Sequence, residues 1–466
     1  MFRLSAILVV ATFAGRHLLS SHAALLPDDP ESARPTADAK ASDPQRPIQD
    51  VSALVAAVHG LPGVVCGLTA EAAAGWGGRS WMNAPAPPLG PDASERVADF
   101  PRARLSLRDV AMLIDSVTSS DACVRELAVR LIGRAPAELV EDRLIARVGS
   151  SQPAPTREAA VLALGLVESK AGVTPLLRLV MDEGMGVRAN AIWALGRIGD
   201  RRASAPLRRS LSDQAAVVRE AALGALGALE DTGSVDEIVR VLRSDRAARV
   251  RRTAAWALGT LEAREAADAL VTVLRGEKDV EVREMIVWAL GTLEAVSAQA
   301  ALVDMLRHDT NAAVRENAAW ALGQSEATTA APALGEAAGS DANADVRGTA
   351  AWALGQMELR QAPEGLIRAV TDRDAEVRTR SAWSLSQIGD ARAVSQLRAA
   401  LRTETDATAR KAQLRALIRA GERSAAFFKE LLTSDDEEVR ASAVAGMAGR
   451  GTDPWPWPMP RPRPFP

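Results

Sequence analysis

The chain has 466 residues, with 56 lysines and arginines against 59 aspartates and glutamates, four histidines, two cysteines, ten tryptophans and no tyrosine. A formal charge of −3 with no dominant basic stripe argues against nucleic acid as a partner. So few histidines and cysteines leave little material for a metal centre.

Residues 1–23 read as a secretory signal peptide. Met1-Phe2-Arg3 gives a positive start, Leu4 to Ala14 an apolar core, and Ser21-His22-Ala23 a small-x-small cleavage site. The implied location is secreted or periplasmic. Arg16 and His17 interrupt the apolar stretch, and the competing reading is an uncleaved anchor or a disordered leader. The core is short for a bilayer span, and no other stretch is apolar enough for one. Residues 24–50, rich in Asp, Ala and Pro, read as a disordered linker. Residues 51–80 form a small helical hairpin broken at Gly60-Leu61-Pro62, placed to cap the end of a longer helical stack. Residues 81–104, with Pro85, Pro87, Pro88 and Pro91, are a second linker.

Residues 105–450 are an array. Arginines recur at Arg125, Arg157, Arg188, Arg219, Arg251, Arg283, Arg315, Arg347, Arg378, Arg410 and Arg440, mostly at steps of 31 or 32 residues. Five residues after six of them comes a tryptophan: Trp193, Trp256, Trp288, Trp320, Trp352 and Trp383, most inside the phrase Trp-Ala-Leu-Gly. Each unit holds two apolar patterns. One runs like Ala205, Leu207, Leu211. The other runs Val314, Ala318, Ala321, Leu322, at i, i+4, i+7 and i+8, a single helical stripe. No β-alternation appears, so each unit predicts two helices joined by short turns. Six residues before the arginine stands an acid in most units: Asp182, Asp213, Asp245, Glu277, Asp309, Asp341, Asp372 and Glu404. At the turn before the second helix it is placed to cap free N–H groups. It is also placed to pair with an arginine of its own or a neighbouring repeat, fixing register (Asp182 with Arg188, Asp213 with Arg219, Asp245 with Arg251, Asp309 with Arg315, Asp341 with Arg347, Asp372 with Arg378, or one repeat out of step).

The Asp-x5-Arg spacing followed by Ala-Ala-x-Ala-Leu-Gly resembles the short HEAT-like repeats of phycobilisome lyases, over about Leu105 to Gly451. The resemblance implies an all-α, right-handed α-solenoid of stacked helix pairs. It also raises two enzymatic expectations, a phycobilin lyase and a deoxyhypusine hydroxylase. The hydroxylase family holds two irons through His-Glu pairs. No His-Glu dipeptide occurs here, and His308 is followed by Asp309, so neither metal nor cofactor is expected. His308 is expected in the inter-helix turn, facing solvent.

The tryptophan ladder admits two readings. At about 100° per residue, Trp320 falls about 140° from the centre of its helix's apolar stripe. Glu316 and Asn317 lie on that outer side, and Glu284 occupies the matching place beside Trp288. The indoles with Glu284, Glu316 and Asn317 then line a concave partner-binding groove, or else each ring seals the seam against the adjacent repeat. Cys66 and Cys123 are an even pair in a chain read as exported, either a disulfide clip or two separate thiols. Residues 451–466 close the sequence as a stiff extended tail of alternating prolines, with Trp455, Trp457, Phe465, Arg461 and Arg463. Together these features point to a monomeric, non-catalytic exported scaffold that binds a protein or peptide partner. The alternatives are a lyase- or hydroxylase-like enzyme, and an envelope-associated module that uses its tail.

Overall fold

The computed structural model describes residues 105–434 and 437–448, with Ser52, Val55 and Ala56. The chain divides into units 1–46 and 47–466, and the first lies outside the described residues. So do the expected signal peptide, both linkers, nearly all of the 51–80 hairpin and the tail.

Among the described residues, helices alternate. The first helices of the pairs are α1 (Leu107–Ser116), α3 (Ala137–Ile145), α5 (Val173–Leu179), α7 (Ser204–Ser210), α9 (Val235–Ser244), α11 (Ala267–Leu274), α13 (Gln299–His308), α15 (Ala331–Ser340), α17 (Glu364–Arg368), α19 (Val394–Thr403) and α21 (Ala425–Leu431). The second helices are α2 (Ala122–Ile132), α4 (Ala154–Leu166), α6 (Met185–Ile198), α8 (Ala216–Ala228), α10 (Ala248–Thr260), α12 (Val280–Thr292), α14 (Ala312–Gln324), α16 (Ala344–Gln356), α18 (Ala375–Ile388), α20 (Ala407–Arg419) and α22 (Glu437–Met447). Each second helix packs on its own first helix and on the second helices before and after it. This is an all-α solenoid, its core spread along the stack rather than gathered in one place.

Local chemistry sets the helix ends. Asp121, Asp279, Asn311, Asn343, Asp374 and Asp406 cap the second helices, accepting from first-turn N–H groups that have no partner inside the helix. Most of these caps stand two residues after the recurring acid. The acid itself takes the N–H of the cap residue, as Asp309 Oδ1 does from Asn311 at 2.8 Å. Many second helices end on a residue of positive φ, which turns the chain toward the next first helix. Gly199, Gly389 and Gly421 fill this place in three repeats, but Glu168, Glu230, Glu262, Glu294 and Glu326 do so in five others, at φ 47–53°.

The Ala-Leu-Gly phrase explains how closely the second helices approach. A Cβ on Gly291 would lie 2.5 Å from Trp320 Cζ3 and 2.8 Å from Ala321 Cβ, closer than carbon atoms pack. Gly165, Gly227, Gly259, Gly323 and Gly355 meet Trp193, Trp256, Trp288, Trp352 and Trp383 in the same way. Gly224 stands where a tryptophan would be, and there Gly196 meets Ala225 alone. The indole of one repeat therefore lies on the glycine of the repeat before.

Helical rotation alone puts Trp320 outside its stripe, yet it is 7% exposed, and Asn317, also expected outside, is 2% exposed. The single-helix stripe misses them because the next and previous second helices cover both flanks of each second helix. Gly291→Ala is expected to cost about 1–3 kcal/mol through overpacking, and Trp320→Ala about 3–5 kcal/mol. In a denaturant double-mutant cycle the pair should be strongly non-additive, since removing the ring makes room for the methyl. Glu262→Gly should raise the unfolding midpoint, because the left-handed backbone costs an L-residue about 1–2 kcal/mol.

Candidate functional site

From Arg157 to Arg378, the arginine of each unit and the acid of the next form a clasp between repeats. From the first turn of α14, Arg315 Nε and Nη2 donate to Asp341 Oδ2 and Oδ1 at 2.8 and 2.9 Å, while Nη1 donates back to the Asp309 carbonyl at 3.0 Å. Arg188 holds Asp213, Arg219 holds Asp245, Arg251 holds Glu277, Arg283 holds Asp309, Arg347 holds Asp372 and Arg378 holds Glu404 with the same two-pronged geometry. Asp182 is held by one guanidinium nitrogen of Arg157 at 2.7 Å. The side-chain pairing thus runs to the acid of the following repeat, and the same-repeat contact is to a backbone carbonyl.

Burial alone would push the Asp341 carboxyl up, but hydrogen bonds from Arg315 and the Asn343 N–H outweigh it and hold it below the usual aspartate value. Asp245, Asp372, Glu277 and Glu404 are lowered by the same balance.

The tryptophans offered to a groove lie in the seams. Trp193 and Trp352 are 2% and 1% exposed, Trp256 and Trp320 are buried, and Trp288 and Trp383 are half-buried. The surface beside them is polar. On α12 to α18 it carries Glu281, Glu284, Glu316, Asp345 and Glu376. Arg252 reaches Glu281 at 2.5 Å, and Arg380 pairs with Glu376. Thr349 donates to Glu316 at 3.3 Å and receives Arg380 at 3.4 Å. Burial raises the Glu284 carboxyl, and the neighbouring charges of Glu281 and Glu316 raise it further. Asn317 sits beside Glu284, its amide nitrogen without a hydrogen bond of full geometry. The shielded Trp383 indole nitrogen has no acceptor. Basic residues bound this stretch, Arg249 and Arg252 on α10 and Lys411, Arg415 and Arg419 on α20.

The sequence pattern singled out Glu284, Glu316 and Asn317 but missed Arg252, Asp345, Glu376 and Arg380. The available signal was positional: Arg252 shares a second-helix column with Glu284, Asp345 and Glu376 share one with Glu281, and Arg380 falls in the column of Asn317 and Thr349.

Glu220 on α8 is 1% exposed, with Oε2 lacking any hydrogen bond. Burial pushes its carboxyl up to about 7 against the opposing pull of Arg249, Arg252 and Thr253. Elsewhere, a polar hollow of about 330 Å³ lies between α7 and α9, but Arg208, Arg219 and Arg240 on its walls are paired with Asp231, Asp245 and Glu237. His308 ends α13, exposed, its Nδ1 2.9 Å from Asp304. Among the described residues no three His, Cys, Asp or Glu side chains are placed to share a metal ion. No helix there is long and apolar enough to cross a membrane. Cys123 is buried and disulfide-bonded, and the chain's other cysteine, Cys66, lies outside the described residues.

Known proteins place this architecture. The model for HEAT repeats matches overlapping segments 141–227, 186–259, 211–290, 235–323, 267–355, 331–418 and 364–448. The chain belongs to the HEAT-repeat family. Importin beta from an ammonium sulfate condition is 15% identical at a TM-score of 0.57, covering 85% of this chain and 62% of its own. The Kap95:Nup1 complex is 14% identical at 0.50, covering 77% and 59%. The phycocyanin lyase complex of CpcE and CpcF from a Nostoc species is 24% identical at 0.32, covering 49% and 91%. This HEAT chain spans about 60% of the importin-type chains it matches. A search of curated proteins finds no match.

The clasps and Glu220 predict opposite responses to pH. The lowered clasp carboxylates contribute stability that is present above their unfolded values, near pH 4, and lost as pH falls through the folded values. The raised Glu220 carboxyl costs nothing below pH 4.5 and its full penalty above about pH 7. Thermal melts should therefore show Glu220→Gln gaining stability over the native chain as pH rises from 4.5 to 7, and no gain at pH 4. A gain independent of pH would mean that Glu220 is not charged in the folded array.

Proposed function

We propose that this HEAT-repeat chain is a non-catalytic, exported scaffold that holds a protein or peptide along the open face of its second helices. One observation carries the reading. Between α12 and α18 this face brings together half-buried indoles at Trp288 and Trp383 and a run of carboxylates, Glu281, Glu284, Glu316, Asp345 and Glu376. Such a surface sets apolar anchors among charged groups, a combination that a polypeptide can match. The Kap95:Nup1 complex, a neighbour in fold, is a solenoid with a protein partner, which supports a partner-binding role. Export rests on the signal-like pattern of residues 1–23.

The face is tested by reversing exposed charges rather than by cutting seam tryptophans. For a partner recovered with the chain, Glu281→Lys with Asp345→Lys should weaken binding per folded molecule, beyond any fall in melting temperature from the lost Arg252 pair. Asp236→Lys with Asp268→Lys, on first helices, should leave affinity unaltered. Equal effects of the two charge pairs would overturn the assignment of the face. N-terminal sequencing of mature protein should begin near Ala24, and recovery of intact Met1 would overturn export.

A further inference from the structure

We propose that the seam between α8 and α10 is a proton-controlled joint in the array, slack while Glu220 is neutral and closed when an ionised Glu220 takes Arg252 from Glu281. This concerns the array itself and stands apart from export and from any partner on the open face.

The helix crossing is the first reason. A Cβ on Gly227 would lie 3.8 Å from the Ala257 Cα. At the crossings of Gly165, Gly196, Gly259, Gly291, Gly323 and Gly355 the corresponding distance to the Cα of the next second helix is 2.8–3.2 Å. The shortest belongs to Gly196, which meets Ala225 where Gly224 supplies no indole. Without that ring α8 settles onto α6, and it stands off α10 in consequence. The other crossings are already at backbone contact, whereas this one has room to close.

An unmade ion pair inside the seam is the second reason. Glu220 Oε2 accepts no hydrogen bond, and Arg249 Nε stands 3.5 Å from it. Arg252 Nε is buried and donates to nothing, while its Nη1 is held by Glu281 on α12. A buried acceptor and a buried donor on the two walls of one seam are both left unsatisfied, at a cost to the fold.

The Thr253 hydroxyl shows which state the slack seam suits. Its one proton goes to the Arg249 carbonyl at 3.0 Å, which leaves Oγ1 as an acceptor 3.5 Å from Glu220 Oε1. Only a protonated carboxyl can donate there. The other cations on the surrounding helices are committed. Arg219 of α8 holds Asp245, Arg188 of α6 holds Asp213, Arg208 of α7 holds Asp231 and Arg251 of α10 holds Glu277, while Arg209 donates to the backbone of α7. Arg249 and Arg252 are therefore the cations that an ionised Glu220 draws in. The competing Arg252–Glu281 pair is weak, because Glu281 is largely exposed. Burial pushes the Glu220 carboxyl up to about 7, so the exchange falls near neutral pH.

The test is a spin-label distance measurement on the full chain. Nitroxides at Arg201→Cys and Val296→Cys, both exposed, span the α8–α10 seam, and nitroxides at Val296→Cys and Ala391→Cys span the same number of repeats beyond it as a control. Labelling without reductant leaves the Cys123 disulfide intact. Between about pH 5.5 and about pH 8.5 the first distance should shorten and the control should stay fixed. Glu220→Gln should hold the first distance at its low-pH value. Thermal melts read the ion pair separately: Glu220→Gln and Arg252→Met should be additive at the lower pH and coupled at the higher. An unmoved first distance, a shift shared with the control or retained in Glu220→Gln, or additivity at both pH values would each overturn the joint.

Discussion

The structure depends on how close one second helix can come to the next. A glycine in one and an indole and alanine in its neighbour leave no room for a single methyl at the crossing, and the contact repeats from Gly165 to Trp383. Glycine inside a helix sacrifices about 0.5–1 kcal/mol relative to alanine, so its return in each unit implies that close approach yields more than that. The approach also explains why the second helices are buried nearly all round while the first helices keep a solvated side. With such short spacing, the side chains at the edge of each crossing form a continuous polar surface rather than separate islands.

That surface and the seams are linked electrostatically. Glu220 and Glu284 stand in one column of the second helices, next to the arginine that makes the clasp. Close packing takes water from these carboxyls, raising both, while the clasp acids a few residues away are lowered by two-pronged arginine contacts. Two kinds of carboxylate thus live side by side: one kind strongly held by arginine, the other deprived of water by the close packing. Incompletely satisfied buried groups are costly to a fold, and here they are spread along the array from Arg147 to Gln413.

Much of the fold was legible in the sequence because a repeat multiplies each weak signal. One Asp-x5-Arg spacing means little; a whole series in phase locates every second helix. What escaped had physical causes. The apolar stripe of a lone helix assumes one buried side, whereas α14 has three covered sides, so Trp320 and Asn317 point outward on a helical wheel and inward in the molecule. The acid's partner could be placed in its own repeat or a neighbour's, because sequence spacing says nothing of the twist between units; the guanidinium of Arg315 proves to reach forward. Glu168 and its four counterparts gave no warning of positive φ, since glutamate is not a turn residue. For the open face, Glu284 and Glu316 were visible as flanks of a tryptophan, but Asp345 and Arg380 emerge only when equivalent positions of successive repeats are set side by side.

The forward reach of the arginine gives the array a polarity. From Arg188 to Arg378 each unit presents an arginine at one end and, at the other, an acid already shaped to receive one. Such a head-to-tail surface does not close on itself, and a copy inserted between the clasped units meets the same chemistry on both sides. A duplicated block of 31 or 32 residues would therefore join without any new interface having to arise. Length becomes a quantity that can drift by whole units while the clasp stays in phase, and insertions of other sizes are rejected because they strand an arginine opposite no acid.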